Sequence, residues 1–158
     1  IKGREDEHLS CMTGAFFLIC SGWTLYTFFP AMGPYQTMAF ETPIEGGIWF
    51  ALTMSTVDQS GPLIDVFPSL HTGFIFFVFL CCFRNRKNGR GRWLSPLTFF
   101  VSVNIMVATI YLRFHYAVDV VAGLALALLV ARYTPSYFER AMARRSRKGL
   151  QNLFGTPF

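Results

Sequence analysis

The residues best suited to chemistry lie in one stretch, which reads Arg113-Phe-His115-Tyr-Ala-Val-Asp119-Val-Val-Ala-Gly123. If this stretch is helical, His115 and Asp119 lie on one face, because they are four residues apart. The carboxylate can then accept the proton of one ring nitrogen and leave the other nitrogen free as a base or nucleophile. The same pair could equally be a structural contact inside a helix bundle. These residues alone leave both interpretations open.

A second polar cluster precedes another apolar run and reads Phe67-Pro-Ser69-Leu-His71. Ser69 is predicted to be the N-cap of a helix that begins directly after it. The apolar run over residues 70–83 has only fourteen residues, which is short for a membrane crossing. We therefore expect His71 to be recessed below the water-facing surface of the bundle.

The composition indicates a membrane protein. Hydrophobic residues make up 53% of the 158-residue chain, and eighteen of them are Phe. Residues 11–29 carry no charge and would form about 28 Å of helix, close to the ~30 Å of a bilayer core. Further spans are predicted over residues 70–83, 93–112 and 116–133. The expected fold is an all-α, polytopic transmembrane helix bundle, with four spans in this chain and a basic tail over residues 134–158.

Three further features bear on the predicted fold. The connection over residues 30–68 contains acidic residues but no Lys or Arg, and its apolar middle, residues 44–57, is predicted to be an interfacial or re-entrant helix. The four cysteines lack metal-ligand spacing and are expected to be small buried side chains. The chain begins with Ile, so we expect the natural start of the protein to be missing.

The positive charges predict the orientation in the membrane. Four successive spans place the segment 84–92 and the tail on one side, with eleven Lys and Arg counting Arg132. The other side, which carries the histidine clusters, has only Arg113. By the positive-inside rule the basic side is cytosolic and the histidine side is not. Nucleic-acid binding would be the competing explanation of the basic tail, but its position suits anionic lipid headgroups better.

The predicted topology brings both histidine clusters to the same non-cytosolic face. Each cluster opens a helix, so the free N–H groups of two helix N-termini converge there with two imidazoles, a carboxylate, a guanidinium and a hydroxyl. These groups together suit an anion, and a phosphate above all. Ionisable groups inside membrane spans are costly to keep, so a purely structural cluster becomes the less favoured interpretation.

At this point the sequence resembles a known family, the type-2 phosphatidic acid phosphatase superfamily. Residues 67–71 are similar to its motif P-S-x-H, and residues 115–119 are similar to its motif H-x-x-x-D. The most similar branch is that of the inositol phosphorylceramide synthase-like and sphingomyelin synthase-like enzymes, whose last motif often reads H-Y-x-x-D. The resemblance covers residues 30–131. It implies a six-span bundle, of which this chain would hold the C-terminal part.

The resemblance also implies roles for individual residues. His115 would attack phosphorus and become phosphohistidine, Asp119 would orient its ring, and His71 would protonate the leaving alkoxide. Ser69 and Arg113 would hold the phosphate oxygens. No cofactor and no metal are implied. The substrate would be a lipid phosphate in the bilayer, with water or a second lipid as the acceptor.

The sequence departs from the family pattern at three places. The phosphatases usually have an Arg six residues before the motif histidine, where this chain has Thr109. Their motif K-x-x-x-x-x-x-R-P is absent. The synthase-like branch often reads G-P-R where this chain has Gly33-Pro-Tyr35. Since a phosphomonoester calls for several cations and this face shows one, the departures favour a lipid phosphotransferase slightly over a phosphatase.

Two interpretations of other classes are kept. His71, His115 and Asp119 could form a two-histidine, one-carboxylate metal site, although a cation beside Arg113 and two positive helix ends would be repelled. A non-catalytic membrane scaffold would need none of these groups.

Overall fold

The computed structural model describes residues 2–42, 44–59, 65–87 and 90–148. In these residues the chain forms six helices and no strand, with one isolated bridge between Ala31 and Asp65. The helices are α1 (Lys2–Phe28), α2 (Pro34–Thr37), α3 (Ile48–Gln59), α4 (Leu70–Arg84), α5 (Arg90–Tyr111) and α6 (Ala117–Arg147). The prediction of an all-α, polytopic helix bundle is confirmed.

Three helices are long and apolar enough to cross a membrane, namely Asp6–Phe28, Gly91–Tyr111 and Ala117–Arg147. The fourth predicted span, helix α4, is apolar but has only 15 residues. At 1.5 Å per residue it is about 22 Å long and stays short of a full bilayer core. Helix α1 begins well before the predicted span, because the polar residues ahead of that span favour helix and extend it.

Helix α6 also exceeds its predicted end. Residues 134–147, assigned to the tail, continue the helix to Arg147, with Pro135 inside it. Four arginines, two alanines and Glu139 lie in this segment, and all of them favour helix. The last part of the predicted tail, residues 149–158, lies outside the described residues.

The predicted interfacial helix is present with different bounds. It begins at Ile48, after Gly46 and Gly47, because glycine loses the most backbone entropy in a helix. None of its side chains is buried, and Trp49 is 80% exposed. Its position in the membrane interface remains a prediction.

Helix α4 is central to the bundle. It packs against α5, α6 and α1, and α1 also packs against α6. Leu18, Phe77 and Ala127 form the buried core of this contact, one from each of α1, α4 and α6. Helix α4 thus contacts all three candidate spans, and the residues at its start contact the end of α1 and the start of α6.

The four cysteines are free thiols. Cys20 is exposed, and Cys11, Cys81 and Cys82 are half-buried. The expectation that they are buried is therefore wrong, since their helices turn part of each apolar face outward, as lipid-facing helices do.

Candidate active site

A tight turn between α5 and α6 positions His115. Arg113 adopts a left-handed backbone conformation with φ 63°, and the N–H groups of Phe114 and His115 both donate to the Thr109 carbonyl at 3.1 and 3.2 Å. Helix α6 begins only at Ala117, with Tyr116 as its N-cap. His115 thus precedes the helix, and the expectation that it shares a helix face with Asp119 is corrected: the turn brings the two side chains together.

His115 lies between two partners. Its Nδ1 faces Asp119 Oδ2 at 3.8 Å, and its Nε2 faces His71 Nδ1 at 3.5 Å. Both His115 and Asp119 are almost fully buried, with 5% and 3% of their surface exposed. The Asp119 carboxylate also accepts the backbone N–H of Tyr116 at 2.7 Å, which fixes it at the start of α6. Its gap to the His115 ring is longer than a hydrogen bond.

His71 is exposed, so the expectation that it is recessed is wrong. It is the second residue of α4, and its ring projects from the end of the bundle rather than from the interior. The two imidazoles therefore differ: one is enclosed by protein, and the other is exposed at the rim.

The electrostatic environment keeps His115 neutral. Burial, followed by the neighbouring imidazole of His71, lowers the pKa of His115 to about 4. The backbone carbonyl of Val66 and the charge of Asp65 act in the opposite direction but are smaller. A neutral imidazole keeps a lone pair on one ring nitrogen, which is what a nucleophile needs.

Ser69 is the N-cap residue of α4, as predicted, but its side chain does not cap the helix. The hydroxyl is buried and has no hydrogen-bond partner among the described residues. The Ser69 backbone N–H instead donates to the Asp119 carbonyl at 3.0 Å, which ties the start of α4 to α6. A buried hydroxyl without a partner is costly, and a ligand oxygen would satisfy it.

Two glycines let α4 and α6 approach closely enough for this contact. A Cβ atom on Gly123 would lie 2.3 Å from the Ser69 carbonyl oxygen, and one on Gly73 would lie 2.8 Å from the Gly123 carbonyl oxygen. Both distances are too short for any side chain. We call this contact, formed by Ser69, Gly73, Asp119 and Gly123, the α4–α6 seam.

The Arg113 side chain contacts the connection between α1 and α3. Its guanidinium donates to the Thr42 carbonyl at 3.2 Å and stacks on the Phe40 ring, 3.8 Å from the centroid. Within the described residues it hydrogen-bonds neither histidine. The Arg113 carbonyl accepts the Tyr35 N–H at 2.7 Å. The structure thus brings Arg113 to the connection between α1 and α3 rather than against the imidazole pair.

Sequence reasoning missed Tyr26 as a positioning residue. Its hydroxyl donates to the Pro68 carbonyl at 3.0 Å and accepts the Leu70 N–H at 3.3 Å, which anchors the start of α4 to α1. The signal available in the sequence was a hydroxyl group near the end of an apolar span, where hydroxyls often need a protein partner.

The geometry does not favour the metal-site interpretation. The two nitrogens of His115 point in opposite directions, one to His71 and the other to Asp119. One ion can bind only one nitrogen of a given imidazole, so the three side chains do not converge on a common point as they stand.

In a comparison with known families, residues 3–133 match the sequence model of the PAP2 superfamily. Comparison with curated proteins and with solved structures finds no significant match. The family match includes all five candidate site residues, namely Ser69, His71, Arg113, His115 and Asp119.

Proposed function

The chain belongs to the PAP2 superfamily, and on this premise we propose that it is an integral-membrane lipid phosphotransferase or phosphatase that works through a phosphohistidine at His115. Members of the superfamily are phosphatases, so an enzyme acting on a lipid phosphate fits the family. The observation that carries the proposal is the enclosure of a neutral His115 between Asp119 and His71.

The proposed reaction has two displacements. His115 Nε2 attacks phosphorus, the bond from phosphorus to the lipid oxygen breaks, and protonated His71 gives its proton to the leaving alkoxide. An acceptor hydroxyl then attacks the phosphohistidine, the P–N bond breaks, and His71 takes up the acceptor's proton. Asp119 stabilises the positive charge that forms on the His115 ring during the first step.

The gap between the imidazoles must widen for this chemistry. A reacting phosphorus lies about 3–3.5 Å from its nucleophile, and a general acid lies about 2.6–3.2 Å beyond the leaving oxygen. The 3.5 Å between His115 Nε2 and His71 Nδ1 leaves no room for both. Because His71 is exposed and His115 is buried, we expect His71 to move outward when substrate enters.

Three kinds of group would hold the phosphate oxygens. The partnerless Ser69 hydroxyl supplies one donor, and the N-termini of α4 and α6 add backbone N–H groups. Arg113 would contribute charge from its position on Phe40, in keeping with the role that the family resemblance implies. This set is weak for a phosphomonoester dianion and adequate for a phosphodiester, which carries one negative charge.

This balance of charge leads us to favour headgroup transfer between lipids, as in the inositol phosphorylceramide synthase-like and sphingomyelin synthase-like branch. The test places the chain in liposomes with labelled phosphatidic acid or labelled phosphodiester lipids, and offers ceramide or diacylglycerol as the acceptor. We expect the label to reach the acceptor. Rapid release of phosphate from phosphatidic acid without headgroup transfer would contradict this preference and leave a phosphatase.

Trapping the covalent intermediate tests the mechanism itself. Acid-labile, base-stable label on the protein should be lost in His115→Ala and kept in His8→Ala, since His8 is the remaining histidine and is exposed on α1. A labelled protein in His115→Ala would overturn the assignment.

Vanadate should inhibit the activity and chelators should not. Activity lost in chelator and restored by a divalent metal would favour the metal site, and no turnover at all would favour a scaffold.

We also propose that the histidine face is non-cytosolic, because eleven Lys and Arg lie toward the opposite face against Arg113 alone. Single cysteines introduced at positions 45 and 88 of a cysteine-free variant would test this. An impermeant thiol reagent should label position 45 but not 88 in intact cells. The reverse pattern would overturn the orientation.

A further inference from the structure

A cavity of about 280 Å³ lies between α1, α4 and α6, at the opposite end of the bundle from the histidines. Its polar lining includes Ser10, Asn85 and the exposed side chains of Arg84 and Arg132, which mark its mouth, and its apolar lining includes Leu80. Arg84 is thirteen residues after His71 on the same helix, or about 20 Å along its axis. The cavity is thus separate from the candidate active site.

We propose that this cavity binds the phosphate-bearing headgroup of an anionic membrane lipid, which would be a second lipid site that does no chemistry. The inference does not depend on the proposed function.

The charges at the mouth carry the first part of the argument. Arg84 and Arg132 come from different helices and meet at one cavity, although like charges repel. Neither guanidinium forms an ion pair within the part of the chain that the structure describes. Glu7 supplies the one carboxylate among the described lining residues, so the lining carries two positive charges against one negative. An anion with several oxygens would satisfy both arginines, and Arg binds phosphate well because its planar fork matches the oxygens.

The apolar surface beside the mouth favours a lipid over a free anion. Leu128 lines the cavity and is 51% exposed, and the neighbouring Leu129 is 54% exposed on the outer surface of α6. This surface belongs to a candidate membrane span, so in a bilayer it would face acyl chains. A volume of about 280 Å³ is near the lower end of the usual range for ligand pockets. It suits a headgroup whose acyl chains lie outside along α6.

Helix geometry alone explains only part of this arrangement. Arg84 is in the last turn of α4, where a cation interacts favourably with the helix dipole. That accounts for a positive charge at this position but not for a second arginine, from α6, at the same cavity. Basic pockets between transmembrane helices are a recognised form of anionic-headgroup site.

The test uses the chain in phosphatidylcholine nanodiscs that contain a small fraction of phosphatidylglycerol with a photoreactive acyl chain. Mapping of the crosslinked peptides should place adducts on the segments of α1, α4 and α6 around the cavity. The double variant Arg84→Gln, Arg132→Gln should raise the half-saturating fraction of phosphatidylglycerol about 10- to 30-fold. The charge-matched control Arg86→Gln, Arg140→Gln should leave it unchanged.

Further arms separate the alternatives. His71→Ala with His115→Ala should keep the adducts, which excludes capture at the candidate active site. Ser10→Trp narrows the mouth without changing charge and should also reduce the adducts, with helicity measured to confirm folding. Equal adduct yields in the arginine variant and its control, or equal labelling by photoreactive phosphatidylcholine, would overturn the proposal. Displacement by millimolar inorganic phosphate would assign the cavity to a free anion and would overturn the lipid assignment.

Discussion

The α4–α6 seam and the connection between α1 and α3, residues 29–47, both contribute to the candidate site, but in different ways. The seam is held by backbone contacts. The Ser69 N–H donates to the Asp119 carbonyl, and Gly123 allows the backbones of α4 and α6 to touch. The connection holds Arg113 through exposed contacts. The guanidinium stacks on the Phe40 ring and donates a hydrogen bond to the Thr42 carbonyl. One region is buried and closely packed, and the other is open.

This difference indicates how the two regions should respond to change. A position fixed by packed backbone tolerates no added atom, because a rigid interior cannot relax around it. A position fixed by one stacked ring and one exposed hydrogen bond loses only the small free energy of that contact. Substitutions in the seam, or of the two histidines beside it, should therefore cost much more activity than substitutions in the connection.

With the nucleophile His115 left in place, the largest effect is expected at His71, the exposed member of the imidazole pair. His71→Ala should lower kcat about 10²–10⁴-fold for a lipid alkoxide leaving group, the usual range for general acid catalysis. A phenolic leaving group needs no proton, so most of the loss should disappear with that substrate. His8→Ala is the control and should have no effect. Equal damage with both substrates would contradict the general-acid role.

The seam itself can be tested by one methyl group. Gly123→Ala would place a Cβ atom 2.3 Å from the Ser69 carbonyl oxygen and push α4 away from α6. We expect a loss of about 10²-fold in kcat, because a displacement of about 1 Å has that effect on aligned groups. The free energy of unfolding should fall by about 1–3 kcal/mol.

Gly47→Ala is the matched control in the connection, since its Cβ would meet nothing within 4 Å. It should leave both activity and thermal stability unchanged. A Gly123→Ala variant as active as Gly47→Ala would show that the seam does not position the histidines.

The burial of His115 predicts an unusual pH dependence. With a pKa of about 4, the His115 ring stays largely neutral at pH 4.5, whereas an ordinary histidine of pKa ~6.5 would be only about 1% neutral. The acid limb of kcat/KM should therefore lie well below pH 6. An acid limb centred near pH 6.5 would show that the ring is solvated.

The same shift affects folding. The unfolded chain takes up a proton near pH 6.5, while the folded chain resists until about pH 4. Stability contributed by the neutral ring is thus present above pH 6.5 and is lost as the pH falls toward 4. Thermal unfolding between pH 7 and 4 measures it, and His115→Gln should flatten this dependence.

The features that the sequence predicted are those that depend on local patterns. Apolar runs located the helices, and the two polar clusters marked the starts of α4 and α6, where Ser69, His71, His115 and Asp119 lie. Helix ends were predicted less well, since polar residues ahead of the predicted span at residue 11 and after residue 133 continue as helix. The exposure of His71 depends on what covers the end of the bundle, which no local pattern encodes.

The contacts of Arg113 could not be predicted for the same reason. Its partners Phe40 and Thr42 are about seventy residues away in the chain and lie in a connection without a repeating pattern. Tyr26 is a similar case, because its two hydrogen bonds join α1 to the start of α4 over more than forty residues. Long-range contacts of single side chains depend on the packed fold.

The smallest effect is expected in the connection, at Phe40. The stack on Arg113 is exposed, where a cation–π contact contributes about 0.5–1 kcal/mol. The left-handed backbone of Arg113 and its bond to the Tyr35 N–H fix the base of the side chain, so Phe40 only orients the guanidinium. Phe40→Ala should therefore raise KM about 2- to 5-fold and leave kcat nearly unchanged, if measured with the same lipid substrate.

Met38→Ala, which removes another exposed apolar side chain of the connection, should change neither constant. A fall in KM for Phe40→Ala would mean that the ring holds Arg113 away from the phosphate, and a fall in kcat as large as that of Gly123→Ala would abolish the distinction between the open region and the seam.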